Sequence, residues 1–477
     1  MQLDAERMSR VDTAWLRMDN DVNLMMIVGV WLLSPGVGYA ATRDRIAEKL
    51  LQYPRFRQKV VHDTLGANWV EDPDFDIQRH VVVSKLPRRR GQSERAALQA
   101  YAGHQATVPL DPKHPLWQFE LIEHYEGGSA MVVRIHHCIG DGIALTSVVM
   151  SITDGGLSPP QRKPHDPSAD DEHRDWITDS VIRPFTELAV KGIGMTGSGV
   201  SRSLGVLAHP QQPLQGSVDL ARAGVQAVSD AAALALMADD SPTLLKGQPC
   251  GRKIVAWNEP MPLDEVKAIG KALNCSINDV LLSCVSGAIG RYLRERGDDP
   301  AGKEIRAMVP VNLRPLEHAW KLGNHFGLAP LTLPIGIDNP IERVYAVRQR
   351  MQQLKGSYQP VLAFTVLQVA GLLNKPMQDM LLGLFSKKTT AVVTNVPGPA
   401  RALKFCGATL RQSIFWVPMT GNVGLGVSIL SYAGGVQFGL IADTALCPQP
   451  QEIIDLFGPE FETLLTLTLM LPWNAAA

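Results

Sequence analysis

Cysteine is scarce in this chain, with six residues among 477, and they form no Cys-x-x-Cys pair and no metal-ligand spacing with histidine. The six are Cys138, Cys250, Cys275, Cys284, Cys406 and Cys447. Disulfide scaffolds and zinc sites both need clustered cysteines. The sequence therefore favours a reducing compartment and predicts no metal site.

Charged residues are also few, at 19% of the chain, and 46 basic side chains nearly cancel 47 acidic ones to leave a formal charge of -1. A protein whose main partner is nucleic acid usually carries a strong positive excess, so no nucleic-acid partner is predicted. The densest basic cluster is Arg88-Arg89-Arg90, with Lys85 and Arg95 nearby. A solvated loop is the favoured interpretation of this cluster, and a contact with phosphates or anionic lipid headgroups is the alternative.

No hydrophobic run reaches the roughly 18 to 20 residues that a membrane-spanning helix needs. The longest runs are Leu24–Leu33 and Val361–Leu373. Residues 1–7 are polar and mixed in charge, unlike a secretory signal. We therefore expect a cytoplasmic protein that does not cross a membrane, with peripheral attachment to the inner membrane face left open.

The length of the chain predicts two or three domains. Strand-like and helix-like segments are mixed without strict alternation, which indicates the α+β class. At Gly155 the composition changes to a polar segment rich in Asp, His and Pro. We therefore predict an N-terminal lobe over 1–155, a partly helical linker over 156–245 and a C-terminal lobe over 246–477.

One segment has the features expected around a catalytic residue. Two strand-like runs, Phe119–Tyr125 and Ala130–His136, form a predicted hairpin that ends on adjacent histidines. An Asp-Gly pair and an apolar helical run follow within a few residues. A turn between a strand and a helix can hold a side chain rigidly at the edge of a cleft. Histidine, with an unperturbed pKa of about 6.5, can accept and return a proton there.

The two histidines cannot share one role, because adjacent residues of a strand point to opposite faces. We assign His137 as the general base and His136 as the neighbour that faces away from the substrate, with the reverse assignment left open. Asp141 is interpreted as more structural than catalytic, and Arg314 is a candidate partner for its carboxylate. A nucleophilic role for Cys138 is disfavoured because no third group orients it.

A second candidate lies at the start of a predicted helix. Ser276 and Asp279 fit a helix capping box, which explains both residues. Asn278 is not explained by the cap, and its amide could stabilise an oxyanion or position a substrate carbonyl. An exposed or purely structural asparagine is the competing interpretation.

These residues resemble a known family. The segment His136–Gly142 is similar to the HHxxxDG signature of the CoA-dependent acyltransferase superfamily, which includes the condensation domains of peptide synthetases. Further segments resemble the motif set of the bacterial wax ester synthase/diacylglycerol acyltransferase family: Pro115-Leu116-Trp117, Asn278-Asp279, Val309–Arg314, Gly323-Asn324 and Thr394–Pro399. The chain departs from that pattern at Arg88-Arg89, where many relatives have Pro-Gly, and at Cys138.

The resemblance implies two chloramphenicol-acetyltransferase-like lobes with mixed sheets, joined by a long connection, and an active site between them. It implies acyl-CoA as co-substrate, no further cofactor, and diacylglycerol or a long-chain alcohol as acceptor, with contact to a membrane or lipid-droplet surface possible. The catalytic group would comprise His137 as base with His136, Asp141 and Asn278. The substrate-binding group would comprise Gly142, Pro115, Leu116, Trp117 and Asp279. A condensation-type domain using carrier-protein thioesters and a non-catalytic lipid-binding relative are the alternatives.

Overall fold

The computed structural model describes residues 5–63, 66–156, 237–313, 322–355, 363, 367 and 375–471. Most of the predicted linker lies outside the described residues, as do most of the apolar run Val361–Leu373 and the candidate partner Arg314. The elements before the linker are β1 (Glu6–Arg7), α1 (Arg10–Arg17), β2 (Met26–Ser34), α2 (Tyr39–Leu50), β3 (Gln58–Asp63), β4 (Gly66–Glu71), α3 (Ile77–His80), β5 (Val81–Val83), α4 (Glu94–Gln105), β6 (Trp117–Tyr125), β7 (Gly128–His136) and α5 (Gly142–Ser151).

The elements after the linker continue in a second group. They are β8 (Lys253–Trp257), β9 (Met261–Pro262), α6 (Leu263–Ala272), α7 (Ile277–Glu295), β10 (Ile305–Asn312), β11 (Phe326–Leu333), α8 (Pro340–Lys355), α9 (Lys375–Lys387), β12 (Ala391–Pro397), β13 (Lys404–Phe405), β14 (Ala408–Trp416), β15 (Leu425–Tyr432), β16 (Gly435–Asp443) and α10 (Pro450–Leu469).

Two large mixed sheets organise the molecule. The six-stranded sheet has the order β13-β14-β2-β7-β6-β5, and the seven-stranded sheet has the order β11-β10-β12-β15-β16-β8 with β9 paired to β16. A third, small sheet has the order β1-β4-β3. Parallel pairs (β5 with β6, β10 with β12, β12 with β15) occur among antiparallel ones. The predicted α+β class with mixed sheets and two lobes is confirmed.

The six-stranded sheet contains strands from both sides of the predicted boundary at 246. Strands β13 and β14 come from the C-terminal half of the chain but extend the N-terminal sheet, with Thr409 opposite Ser34 and Trp416 opposite Val28. Neither strand was predicted from the sequence. The N-terminal sheet is therefore completed by residues 404–416, and the division into three segments stays a prediction.

The predicted hairpin places the histidine pair at the end of β7, a central strand of the N-terminal sheet. Its turn residues Glu126 and Gly127 have φ of 44° and 73°, as a two-residue turn of type I′ requires. Every residue of β7 is buried, including Arg134, whose guanidinium lies 3.1 Å from the carboxylate of Glu120. A strand fixed by pairing on both sides gives the residues at its end little freedom to move.

Helix α7 is the central helix of the C-terminal lobe and is buried along most of its length. It approaches the chain at Ile335 so closely that a Cβ atom on Gly290 would lie 2.2 Å from the Ile335 carbonyl oxygen. Within the described residues no single helix is both long and apolar enough to cross a membrane, and α6 and α7 meet the two requirements only together, as a pair bent by 102°.

Candidate active site

His137 directly follows β7 and is held on three sides. Its backbone N–H donates to the carbonyl of Met25 at 2.7 Å. Its ring stacks on the indole of Trp15, with centroids 4.3 Å apart and planes 16° from parallel. On the ring edge, Nδ1 lies 2.9 Å from Oδ1 of Asn324. The imidazole is thus fixed in position and orientation before any substrate binds.

The hydrogen bonds of Asn324 identify the tautomer of His137. The amide nitrogen of Asn324 donates to Oδ1 of Asp12 and to the His137 carbonyl, both at 2.7 Å. Both partners are acceptors, so the amide oxygen must be the atom that faces His137. Nδ1 of His137 therefore carries the proton, and Nε2 keeps its lone pair for a substrate proton.

His137 lines a cavity between the two lobes, with about 650 Å³ of space that is partly open to solvent. The N-terminal lobe contributes Trp15, Asp141 and Gly142 to its wall. The C-terminal lobe contributes side chains from β10, β11 and β12, among them Asn312, Phe326, Leu328, Thr394, Asn395 and Val396. The predicted base therefore lies where the lobes meet and is accessible to a substrate.

The environment keeps the imidazole neutral. Burial lowers the pKa of His137 to about 4, although the nearby Asp141 carboxylate acts in the opposite direction. Burial also raises the pKa of Asp12, opposed by hydrogen bonds from Ser9 and Asn324. A histidine that is unprotonated at neutral pH can accept a proton, so the site is prepared for general base catalysis.

This lowered pKa predicts the pH dependence of the reaction. Because the neutral imidazole is the active form, kcat/KM should rise with pH through about 4 and then stay level through pH 6 to 8. A histidine with an ordinary pKa of about 6.5 would instead lose activity on acidification from pH 7. The check is a pH profile with circular dichroism at each pH to exclude unfolding. A half-maximal rate near pH 6.5 in folded protein would contradict the burial argument.

The side chain of His136 forms hydrogen bonds at the end of β7 and does not line the cavity. Its Nδ1 accepts a hydrogen bond from the Cys138 N–H at 3.1 Å, and its Nε2 lies 3.2 Å from Oδ2 of Asp19. The side chains of His136 and Cys138 are buried, and neither lines the cavity that contains His137. The position of His136 fits the interpretation of a neighbour that faces away from the substrate. Its catalytic contribution stays a prediction.

Asp141 joins the histidine loop to the C-terminal lobe. One carboxylate oxygen accepts from the Ala144 N–H at 2.9 Å and caps α5, and the other accepts from the His325 N–H at 3.1 Å. Close by, the Gly323 N–H donates to the Ile139 carbonyl at 3.0 Å. These contacts fix the loop across the lobe boundary and agree with the structural interpretation of Asp141.

Asn278 lies one residue behind the cavity wall. Its Oδ1 accepts a hydrogen bond from the amide of Asn395, and Asn395 is the residue that lines the cavity beside His137. Asp279 forms the predicted capping box, in which its carboxylate accepts from the Ser276 N–H at 2.8 Å. The predicted substrate-binding role of Asp279 is not needed to explain its position.

The segment Pro115–Trp117 occupies the core, not the cavity, which does not support the substrate-binding role predicted for it. Trp117 is buried, its indole N–H donates to the Phe56 carbonyl at 2.9 Å, and its ring stacks on His80. The Leu116 carbonyl accepts from the His136 N–H at 3.0 Å. The segment therefore fixes the end of β7 just before His137.

Three residues of the site received no role in the sequence analysis: Asp12, Trp15 and Asn324. Asp12 and Trp15 lie on α1, whose start is marked by Ser9, since its hydroxyl accepts from the Asp12 N–H at 3.0 Å. That cap was a usable signal for the helix. Nothing in the sequence indicated that the helix packs against a loop 312 residues away. Within the described part of the chain, no group of acidic, histidine and cysteine side chains could hold a metal ion.

Comparisons with known proteins agree with this geometry. Residues 8–281 match the wax ester synthase/diacylglycerol acyltransferase (WS/DGAT) catalytic domain, and residues 322–465 match the WS/DGAT C-terminal domain. A probable diacylglycerol O-acyltransferase of Mycobacterium tuberculosis is 26% identical, over 91% of this chain and 90% of that protein. The O-acyltransferase WSD of Acinetobacter baylyi is also 26% identical, over 87% and 86% of the two chains.

Solved structures share the fold. The wax ester synthase/diacylglycerol acyltransferase from Marinobacter aquaeolei aligns with a TM-score of 0.63 at 20% identity, covering 97% of this chain and 100% of that one. The first condensation domain of the calcium-dependent antibiotic synthetase aligns with a TM-score of 0.60 at 13% identity, over 98% and 96% of the two chains. Together with the two domain matches, which take in both His137 and Asn324, these findings show that the chain belongs to the wax ester synthase/diacylglycerol acyltransferase family.

Proposed function

We propose that this protein transfers a fatty acyl group from acyl-CoA to the hydroxyl of diacylglycerol or of a long-chain alcohol. The proposal rests on the imidazole of His137, which is neutral, held in one orientation and lines a largely apolar cavity between the lobes. Membership of the wax ester synthase/diacylglycerol acyltransferase family indicates that the reaction is an acyl transfer. Together they give a base with a free lone pair in a cavity suited to hydrocarbon substrates.

In the proposed reaction, Nε2 of His137 takes the proton from the acceptor hydroxyl while the hydroxyl oxygen attacks the thioester carbonyl. The tetrahedral intermediate then collapses, the carbon–sulfur bond breaks, and the imidazolium returns the proton to the CoA sulfur. An ester and free CoA result, without an acyl-enzyme. The transient imidazolium is stabilised by the stacked Trp15 ring and by the Nδ1–H hydrogen bond to Asn324.

The intermediate also carries a negative oxygen that needs a hydrogen-bond donor. Asn395 lines the same cavity as His137, and one of its two amide hydrogens is used by Asn278. Its second amide hydrogen is available to an oxyanion, and Asn278 holds the amide in place. We therefore propose Asn395 and Asn278 as a pair in this role, with Asn278 positioning Asn395.

Because the proposed substrates are lipids, we also propose where the protein acts. It is a cytoplasmic protein that contacts a membrane or lipid-droplet surface peripherally. Support comes from three exposed apolar residues at the end of α10, Leu469, Met470 and Leu471, of which Met470 is 75% exposed. Exposed apolar side chains that lie together favour contact with another apolar phase. Flotation of the purified protein with liposomes tests this point, and failure to float would contradict it.

The function is tested by incubating purified protein with palmitoyl-CoA and, separately, hexadecanol, dipalmitoylglycerol or no acceptor. We expect release of free CoA thiol that depends on an acceptor, with equal amounts of wax ester or triacylglycerol in the lipid extract. Thiol release without ester would indicate simple hydrolysis. Activity only with an acyl group on a carrier protein and an amine acceptor would identify a condensation-type enzyme instead.

A further inference from the structure

The cavity around His137 lies where the seven-stranded sheet opens. Strands β10 and β12 form only two residue pairs, the last of them between Met308 and Val392. Further along, β12 pairs with β15 on one side, and its other edge is unpaired among the described residues. The cavity lies in the resulting gap, where Asn312 of β10 and Thr394 and Asn395 of β12 line its wall. Side chains from both faces of β12 can therefore reach the same space.

Thr394 lies on the face of β12 that points toward the N-terminal lobe. Alternate residues of a strand share a face, and the neighbours of Thr394 on its face are Val392 and Val396, which line the cavity with it. A Cβ atom on Gly142, at the start of α5, would lie 4.0 Å from a methyl carbon of Val396. Thr394 thus places a hydroxyl between two apolar side chains, on the wall that faces the histidine loop.

The hydroxyl of Thr394 has no hydrogen-bond partner among the described residues, although Thr394 is only 4% exposed. Most buried hydroxyls are bonded to the backbone or to another side chain. Ser428, which pairs with Thr394 across β12 and β15, follows that rule, because its hydroxyl contacts the carbonyl oxygens of Phe415 and Gly439. The fold therefore uses the hydroxyl of Ser428 and leaves the hydroxyl of Thr394 available to a ligand in the cavity.

From this placement we infer that the hydroxyl of Thr394 donates a hydrogen bond to the thioester oxygen as that oxygen becomes an oxyanion. The inference rests on the proposed function and adds a second donor to the amide of Asn395. His137 lies on the wall of the N-terminal lobe and Thr394 on the wall of the C-terminal lobe, so the reacting carbonyl is held between base and donor.

The role fits the chemistry of a hydroxyl in an apolar setting. A neutral carbonyl accepts a hydrogen bond weakly and an oxyanion accepts it strongly, so a fixed donor favours the intermediate over the bound substrate. The threonine proton stays on its own oxygen throughout. The path of the reacting proton from the acceptor through His137 to the CoA sulfur is therefore unchanged.

The experiment measures kcat and KM for palmitoyl-CoA with hexadecanol and, separately, with dipalmitoylglycerol, in the wild type and in variants at this position. Thr394→Val replaces the hydroxyl with a methyl group of similar size, and Thr394→Ser keeps the hydroxyl. Removing one donor from an oxyanion site usually costs about 10²-fold or more in kcat. We expect Thr394→Val to lose about that factor with either acceptor while the KM values hardly change, and Thr394→Ser to retain most of the activity.

Unfolding in urea supplies a readout that separates this role from a structural one. Thr394→Val removes a hydroxyl without a partner among the described residues, so the variant should be at least as stable as the wild type. The matched control is Ser428→Ala, which removes a hydroxyl that the fold does use. That variant should be less stable than the wild type and should keep its kcat.

An unchanged kcat in folded Thr394→Val would overturn the inference and leave the proposed function intact. An equal loss in Thr394→Ser would make the methyl group the cause, and a loss confined to the KM of one acceptor would assign Thr394 to acceptor binding. Either result would also overturn the inference. Thr394→Ala takes the place of Thr394→Val if the valine variant does not fold. A wild type inactive with both acceptors would overturn the proposed function itself.

Discussion

Replacing His137 with alanine is expected to reduce kcat by about 10² to 10⁴-fold, the usual contribution of a general base. The variant loses the group that takes the hydroxyl proton and returns it to the CoA sulfur. Among the described residues lining the cavity, the other basic side chain is the carboxylate of Asp141, and both of its oxygens already accept hydrogen bonds from backbone N–H groups. Thiol release with palmitoyl-CoA and hexadecanol measures the loss.

Two controls separate catalysis from folding in this variant. Palmitoyl-CoA should still bind with nearly unchanged affinity, because His137 forms only one side of the cavity. Added imidazole should restore part of the activity, because alanine leaves a ring-sized space against Trp15. Retention of more than about a tenth of the wild-type kcat would assign the proton transfer to another group and contradict the mechanism.

The reverse assignment of the histidine pair is tested by His136→Gln. The glutamine amide can still contact Asp19, and it leaves His137 and its bond to Asn324 unchanged. We therefore expect a loss of less than about 10-fold in kcat. If His136→Gln were as inactive as His137→Ala while remaining folded, the two histidines would have to act as a unit.

Local signals in the sequence predicted the parts of the fold that depend on nearby residues. The turn at Glu126 and Gly127, the cap at Ser276 and the end of β7 at His136 are all fixed within a few residues of chain. The glycine of the turn and the serine of the cap are residue types that favour the conformations they adopt there. The assignment of His137 followed in the same way from its place between a strand end and a helix start.

Features that depend on distant segments were not predictable in this way. Strand β14 pairs with β2 across more than 370 residues of chain, and Asn324 reaches Asp12 across 312. A hydrogen bond between such residues leaves no periodicity or spacing in the sequence. The same limit explains Trp117, since a tryptophan in a core and one in a binding site look alike until the packing around them is known.

The second large effect is expected from Asn324, which is hydrogen-bonded to Nδ1 of His137 but does not line the cavity. Asn324→Ala removes the acceptor for the Nδ1–H of His137 and releases the imidazole to rotate or to change tautomer. Misplacing a catalytic group by about 1 Å can cost 10²-fold, so we expect kcat to fall by about that factor with little change in KM. The buried carboxylate of Asp12 also loses the hydrogen bond from the Asn324 side-chain amide, which should lower the free energy of unfolding by about 1 to 3 kcal/mol.

The isosteric change Asp12→Asn is the matched comparison, because its side-chain oxygen can still accept from Asn324 while the negative charge is lost. If orientation is what matters, Asp12→Asn should retain far more activity than Asn324→Ala. If the negative charge behind the imidazolium matters, kcat should fall by similar factors in the two variants.

The double variant of His137→Ala with Asn324→Ala then decides whether Asn324 acts through the base. In a variant that lacks the imidazole, Asn324 has no base to orient. Adding Asn324→Ala should therefore reduce kcat almost no further. A full additional 10²-fold loss would show that Asn324 acts on the substrate directly and would overturn its role as a positioning residue.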